Sequence, residues 1–198
     1  RMARAHQGEL LLCPIGPLTN IAAAMELDPS FCSNLKGMVV MGGSLRAGGN
    51  ITPAAEANFY HDPHAADFVL RYGCNMTLVG LDVTNRVICP RSFFVRLASE
   101  SPKMGGLLHD MAEFYIDFYE TVGKFAGCGM HDPSALVACI APELFTTEPH
   151  ALRVTLSGDR SGEMITVANS TAQPVNVCTD VQAEAVKQNF FKNVAKLS

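Results

Sequence analysis

Buried strands alternate with helices along the first half of the chain, and this alternation restricts the fold more than any other feature. Short apolar runs end at glycine or at a polar turn, and segments with apolar residues at helical spacing stand between them. The order strand, helix, strand, helix, strand predicts an α/β fold with a mostly parallel, Rossmann-like sheet flanked by helices. The strands are predicted at 9–15, 37–43 and 76–83, and the helices at 17–27 and 62–73.

The second half of the chain is richer in helix. Neither a linker nor an internal repeat interrupts it, so residues 1–198 are predicted to form a single domain. The chain starts without an initiator methionine and soon enters a strand, from which we expect a domain truncated at its amino terminus. The predicted helices lie at 91–100, 104–122, 134–142 and 180–197, and the predicted short strands at 151–156, 164–168 and 175–178.

Composition argues against several classes of partner. The net charge is −4, and no basic stripe with interleaved aromatic residues is present, so no nucleic-acid partner is expected. No apolar run is long enough to cross a bilayer, so no membrane partner is expected either. The seven cysteines are scattered without a C-x-x-C pair, which argues against a zinc knuckle and favours a reducing, cytoplasmic compartment.

Two His-Asp-Pro triplets precede helical segments. Aspartate before proline is a common helix start, because the carboxylate accepts backbone N–H bonds and proline tolerates the first helical position. Asp62 and Asp132 are therefore both predicted as N-caps. A carboxylate has two oxygens, so Asp132 can also bind a hard cation such as Ca²⁺. His131 is then a candidate acid near a metal ion, the alternative being a structural histidine.

A loop rich in glycine, asparagine and proline joins the second strand to the second helix. Glu56 and Asn58 stand two apart in this loop and point the same way if the segment is extended, with Asn50 upstream. A carboxylate and two amides suit a polyhydroxylated ligand, because each hydroxyl both donates and accepts. The alternative is a polar surface loop. The glycines do not form G-x-G-x-x-G, which argues against a dinucleotide-dependent oxidoreductase.

Two aromatic pairs follow helical spacing on the segment before His131. Tyr115 and Tyr119 are four residues apart, as are Phe114 and Phe118, one step round the helix. One pair is expected to lie in the core, and the tyrosines are expected to reach the pocket.

Five segments together resemble the inosine-uridine-preferring nucleoside hydrolases: PIGPLTNIAAAMELDP, VVMGG, GNITPAAEANFYHDPHAADFV, GLDVT and HDPSALVACIAPELF. They match in order, and the match weakens over the last quarter of the chain. The resemblance implies the nucleoside hydrolase fold and hydrolysis of the N-glycosidic bond of ribonucleosides to ribose and a free base. It also implies a tightly bound Ca²⁺ and a homodimer or homotetramer.

The resemblance further implies roles for individual residues. Asp132 and the backbone carbonyl of Ile15 correspond to calcium ligands of the family. His131 corresponds to a residue that activates the leaving base. Tyr115 and Tyr119 fall where some members place tyrosines that contact the base or relay a proton.

Four more residues are implied to contact the ribose, namely Met41 as an apolar wall and Asn50, Glu56 and Asn58 as polar partners. The family's aspartate cluster, D-x-D-P-G-x-D-D, has no counterpart in residues 1–198. That cluster supplies most of the calcium carboxylates and the general base, and Ca²⁺ takes about six to eight oxygens. Two expectations follow: a ribonucleoside hydrolase of which this fragment is inactive alone, or a non-catalytic nucleoside-binding or scaffolding homologue.

Overall fold

The computed structural model describes residues 1–121, 126–168 and 173–197. Its strands are β1 (Leu11–Leu12), β2 (Gly37–Met41), β3 (Met76–Val79), β4 (Ile88–Cys89), β5 (Cys128–Gly129), β6 (Phe145–His150), β7 (Leu152–Val154), β8 (Met164–Thr166) and β9 (Val175–Val181). The main sheet has the order β1-β2-β3-β9-β6. Its first four strands run parallel, and β6 pairs antiparallel with β9 at the edge. Two small antiparallel ribbons, β4–β5 and β7–β8, lie outside it.

Helices connect the strands and cover the sheet. They are α1 (Met2–Ala5), α2 (Thr19–Leu27), α3 (Ala57–His61), α4 (Pro63–Tyr72), α5 (Leu81–Thr84), α6 (Arg91–Glu100), α7 (Met104–Thr121), α8 (His131–Ile140) and α9 (Ala183–Ala195). Short 3₁₀ turns occur at Cys32–Asn34 and Pro142–Leu144. None of the described helices combines the length and the apolar character needed to span a membrane.

The sheet is buried on both faces. Along β2, Met38 and Val40 belong to a core shared with α2 and α4, whereas Val39 and Met41 belong to a second core shared with α6, α8 and α9. This division follows from the strand period of two, which sends successive side chains to opposite faces. The mostly parallel sheet with helices on both faces, predicted from the alternation of elements, is confirmed.

Two strands are shorter than the sequence predicts. The predicted strand 9–15 pairs only at Leu11–Leu12, and proline at position 14 has no N–H to extend the ladder. The predicted strand 76–83 ends at Val79, where Gly80 turns the chain into α5. A Cβ on Gly80 would lie 2.8 Å from the carbonyl oxygen of Gly43, so the close crossing of the two chains requires glycine there.

The edge strand β6 is not predicted from the sequence, because its composition is polar. Its sequence, Phe145–His150, contains glutamate and proline, and only Phe145 is buried. Proline is tolerated in such a position because an edge strand can leave one N–H side unpaired.

The two predicted aspartate caps have different outcomes. The cap at Asp62 is confirmed, since its carboxylate accepts the Ala65 N–H at 2.9 Å in the first turn of α4. The cap at Asp132 is wrong. Helix α8 begins two residues earlier than this cap requires, at His131, with Met130 at the N-cap and no side-chain cap. Asp132 therefore lies inside the first turn, and its carboxylate is not used for capping.

The long helix before β5 departs from expectation on one face. It is described as far as Thr121, and residue 122, the predicted end, lies outside the described residues. Phe114 and Phe118 are 76% and 54% exposed, so the expectation of a core pair is wrong for the phenylalanines. Ala112 and Ile116 occupy the buried face instead.

A buried carboxylate ties α4 to the β7–β8 ribbon. Asp67 is 5% exposed and accepts bonds from Arg153 Nε (2.6 Å), Arg153 Nη2 (3.1 Å) and the Val154 N–H (3.0 Å). Replacement of this residue would leave the guanidinium and the amide without their acceptor.

We expect Asp67→Ala to lower the free energy of unfolding by about 2–3 kcal/mol, because buried groups lose charge-assisted hydrogen bonds. Urea unfolding followed by circular dichroism measures the change. Asp159→Ala, at an exposed aspartate, is the matched control and should stay within about 0.5 kcal/mol of the unsubstituted chain. Equal stability of the two variants would contradict this account of Asp67.

Candidate active site

A cavity of about 450 Å³ lies beyond the carboxyl ends of β1 and β2. Ligands of open parallel sheets bind at this edge. All nine site residues predicted from the sequence line the cavity: Ile15, Met41, Asn50, Glu56, Asn58, Tyr115, Tyr119, His131 and Asp132. Much of the remaining lining is apolar and comes from α6, α7 and α9, namely Phe94, Leu108, Met111, Ala112 and Phe190.

Asn50, Glu56 and Asn58 form one side of the cavity, called here the polar wall, and Glu56 holds its backbone in place. It is 2% exposed and is the N-cap of α3, where its carboxylate accepts the N–H groups of Asn58 (2.9 Å) and Phe59 (3.1 Å). A third bond comes from the Gly43 N–H at 2.9 Å. Burial raises the pKa of Glu56, and these three bonds act in the opposite direction. The condition under which Glu56 and Asn58 would point the same way, an extended segment, does not hold, because the chain enters α3 directly after Glu56.

The two asparagines of the polar wall are each held through one end of the amide. Asn58 Nδ2 donates to the Met41 carbonyl at 3.1 Å, and Asn50 Oδ1 accepts the Ala57 N–H at 2.9 Å. Among the described residues, Asn58 Oδ1 and Asn50 Nδ2 have no hydrogen-bond partner. One acceptor and one donor are therefore available to a ligand on this wall.

An imidazole stands on the other side of the cavity between two hydroxyl groups. His131 Nδ1 lies 2.7 Å from Thr84 Oγ1, and His131 Nε2 lies 3.2 Å from the Tyr119 hydroxyl. Gly129 makes room for the ring, since a Cβ there would lie 2.8 Å from Nε2. Burial raises the pKa of Tyr119, so its hydroxyl keeps its proton at neutral pH. Tyr115 stacks near Tyr119, with 6.5 Å between ring centroids.

Asp132 is the cavity carboxylate that remains uncommitted. It is half-buried and accepts no hydrogen bond from the part of the chain that the structure describes. Burial raises its pKa, as expected for a carboxylate without hydrogen-bond partners. No group of three His, Cys, Asp or Glu side chains that could hold a metal ion occurs among the described residues. Asp132 and one carbonyl do not by themselves fit the donor set of Ca²⁺.

Sequence reasoning missed two residues beside the site, both in α5. Asp82 accepts three consecutive backbone N–H groups of the loop after β2, from Leu45 (2.6 Å), Arg46 (2.7 Å) and Ala47 (3.1 Å). Thr84 is fully buried and contacts His131. The signal available in the sequence was the segment GLDVT, which marked a strand end and gave no indication of partners 35 to 47 residues away.

The sheet and the cavity together define an α/β protein whose cavity at the carboxyl edge of the sheet combines amides, carboxylates and an imidazole. The family described as inosine-uridine preferring nucleoside hydrolase matches residues 1–188. The chain belongs to that family.

Curated relatives include proteins from plants, from bacteria and from Leishmania major. The chain is 39% identical over 158 residues to the probable uridine nucleosidase 1 of Oryza sativa subsp. japonica, a match covering 80% of this chain and 49% of the relative. It is 35% identical over 187 residues to the inosine-uridine preferring nucleoside hydrolase of Leishmania major, covering 92% of this chain and 57% of the relative. The chain thus spans about half the length of these relatives.

Solved structures share the fold closely. A plant nucleoside hydrolase, the PpNRh1 enzyme, superposes with a TM-score of 0.93 at 29% identity, covering 98% of this chain and 64% of that one. The purine-preferring ribonucleoside hydrolase from Gardnerella vaginalis superposes with a TM-score of 0.92 at 33% identity, covering 98% and 63%.

We expect Glu56→Ala to lower the free energy of unfolding by about 2–4 kcal/mol, because three backbone N–H groups lose their acceptor and α3 loses its cap. Urea unfolding is the measurement. Glu26→Ala, at an exposed position of α2, is the control and should change stability by less than about 0.5 kcal/mol. A Glu56 variant as stable as this control would show that the carboxylate does not hold the wall.

Proposed function

We propose that the protein carrying this chain hydrolyses the N-glycosidic bond of ribonucleosides, releasing ribose and a free base. The observation that carries the proposal is the cavity itself, in which the polar wall of Asn50, Glu56 and Asn58 lies opposite the imidazole of His131. A ribonucleoside also has two different ends, a sugar that carries hydroxyl groups and a heterocyclic base. The nucleosidase and nucleoside hydrolase names of the relatives support the same assignment.

In this proposal the polar wall binds the sugar. Asn50 Nδ2 and Asn58 Oδ1 offer a donor and an acceptor to ribose hydroxyls, and Met41 lies beneath the ring as an apolar surface. The Glu56 carboxylate has about four lone-pair sites, of which three already accept backbone N–H bonds, so it positions the wall and offers little further acceptor capacity.

The opposite side of the cavity acts on the base. Cleavage of the bond between C1′ and the base nitrogen leaves the electron pair on the base, and water adds to C1′ after losing a proton. His131 is proposed to donate a hydrogen bond from Nε2 to the departing base, with the Tyr119 hydroxyl at 3.2 Å as its neighbour, and the proton that water loses ends on the free base. Tyr115 lines the same side and is proposed to contact the base.

We further propose that Ca²⁺ dependence, which the family resemblance implies, requires ligands from outside residues 1–198. Asp132 and the Ile15 carbonyl would contribute to such a site, but they do not complete one. A cytoplasmic location and a homodimeric or homotetrameric state are proposed on the same family basis.

A second candidate is a non-catalytic nucleoside-binding or scaffolding protein. One observation favours it: the cavity residues include two carboxylates, of which Glu56 accepts three N–H bonds and Asp132 has no hydrogen-bond partner among the described residues. The general base that the family resemblance implies belongs to the aspartate cluster, which has no counterpart in residues 1–198.

Release of base from inosine and uridine by the full-length protein tests the hydrolase. We expect hydrolysis with the unsubstituted protein and a loss of kcat of about 10²–10³-fold for His131→Ala, because the departing base loses its hydrogen-bond donor. Asp132→Ala is expected to abolish both activity and bound calcium. His64→Ala, at an exposed histidine of α4, is the control and should retain full activity.

The same assay separates the two candidates. A full-length protein that binds nucleosides in equilibrium dialysis and releases no base supports the binding protein and overturns the hydrolase. Activity of His131→Ala equal to that of His64→Ala would overturn the role assigned to His131.

We expect residues 1–198 alone to bind Ca²⁺ only weakly, with a Kd in the range of about 10⁻³ M or above, because too few oxygens are present. Isothermal titration with CaCl₂ measures this affinity, and Asp132→Ala should abolish any specific binding. A tight one-to-one complex with residues 1–198 would contradict the incomplete donor set.

A further inference from the structure

The single-turn helix α5 contacts elements on both sides of the cavity, namely the loop that leads to the polar wall and His131 opposite it. It follows β3 directly, and its two polar side chains, Asp82 and Thr84, point to different partners. Asp82 binds the loop after β2, which leads to Asn50, and Thr84 binds His131. Neither residue lines the cavity itself.

The Asp82 carboxylate holds the beginning of the loop that carries the polar wall. It accepts hydrogen bonds from three consecutive backbone N–H groups of the loop. In a loop these groups have no neighbouring strand whose carbonyls could accept them. Next to them, the Leu81 N–H donates to the Gly43 carbonyl at 3.0 Å, and the Gly43 N–H donates to Glu56. A continuous set of hydrogen bonds therefore runs from α5 to the polar wall.

Thr84 fixes the ring of His131 from the side away from the cavity. The Thr84 side chain is fully buried, and His131 Nδ1 is the hydrogen-bond partner of its hydroxyl within the described part of the chain. If the buried hydroxyl only accepted a hydrogen bond from an Nδ1–H group, its own hydrogen would have no acceptor, which costs free energy. The hydroxyl is therefore satisfied by donating to Nδ1, which leaves the ring proton on Nε2, beside Tyr119.

We propose that α5 positions both sides of the site. Asp82 positions the polar wall, and Thr84 positions the His131 ring with its Nε2–H toward the base. This inference rests on the proposed hydrolase function. It predicts different kinetic effects for the two residues: loss of Asp82 weakens substrate binding, whereas loss of Thr84 slows departure of the base.

The Asp82 arm is tested with Asp82→Asn in the full-length protein, because the amide nitrogen turns a donor toward at least one of the three N–H groups. We expect KM for inosine and uridine to rise about 5-fold or more, with kcat within about 2-fold. Backbone amides of residues 45–47 should exchange with deuterium faster than in the unsubstituted protein. Asp159→Asn, at an exposed aspartate, is the control.

The Thr84 arm is tested with Thr84→Val, which keeps the shape and removes the hydroxyl. We expect kcat for inosine and uridine to fall about 10-fold or more with KM within about 2-fold, and Thr84→Ser to restore most of the rate. With p-nitrophenyl β-D-ribofuranoside, whose leaving group departs without a proton, the loss should shrink to about 2-fold. Thr166→Val, at an exposed position of β8, is the control.

Nitrogen NMR of the His131 ring gives a readout independent of turnover. The unsubstituted protein should show a protonated Nε2 and an unprotonated Nδ1, and Thr84→Val should show a mixture of both ring forms. Kinetics equal to those of the two controls, or a loss with Thr84→Val that is the same for both leaving groups, would overturn the positioning roles. An unsubstituted protein that releases no base from any substrate would instead overturn the proposed hydrolase function.

Discussion

The architecture of the site depends on how backbone N–H groups are satisfied where parallel strands end. Beyond β2 the chain leaves the sheet and has no neighbouring strand to accept its bonds, and residues 42–44 remain buried before the loop reaches the surface at Arg46. Two carboxylates solve this problem. Glu56 accepts from Gly43, Asn58 and Phe59, and Asp82 accepts three N–H groups of residues 45–47. These two side chains give the loop one defined shape.

This use of carboxylates determines which groups remain for chemistry. Glu56 is committed to the backbone, so Asp132 is the acidic residue of the cavity with free oxygens. The amides of Asn50 and Asn58 each keep one end available, and His131 is held between two hydroxyls. In the proposed function the described residues supply the polar wall for the sugar and His131 for the base, whereas a complete calcium site requires further oxygens.

The sequence predicted the sheet well because strand and helix periodicities are local signals. It was less successful where a distant partner decides the conformation. The turn at Gly80 depends on the carbonyl of Gly43, and the helix start at Glu56 depends partly on the N–H of Gly43. The cap predicted at Asp132 was wrong for a related reason, since local pattern cannot locate a helix start to within one residue.

The sequence by itself determined the fold class, the family and the nine residues that meet in the cavity, because strand alternation and family motifs are written in consecutive residues. Only the tertiary structure decided that Glu56 is saturated by the backbone, that Asp132 is not, and that Thr84 and Asp82 stand behind the two walls. The physical reason is that hydrogen-bond partners separated by 13 to 47 residues are chosen by packing, and no local pattern encodes that choice.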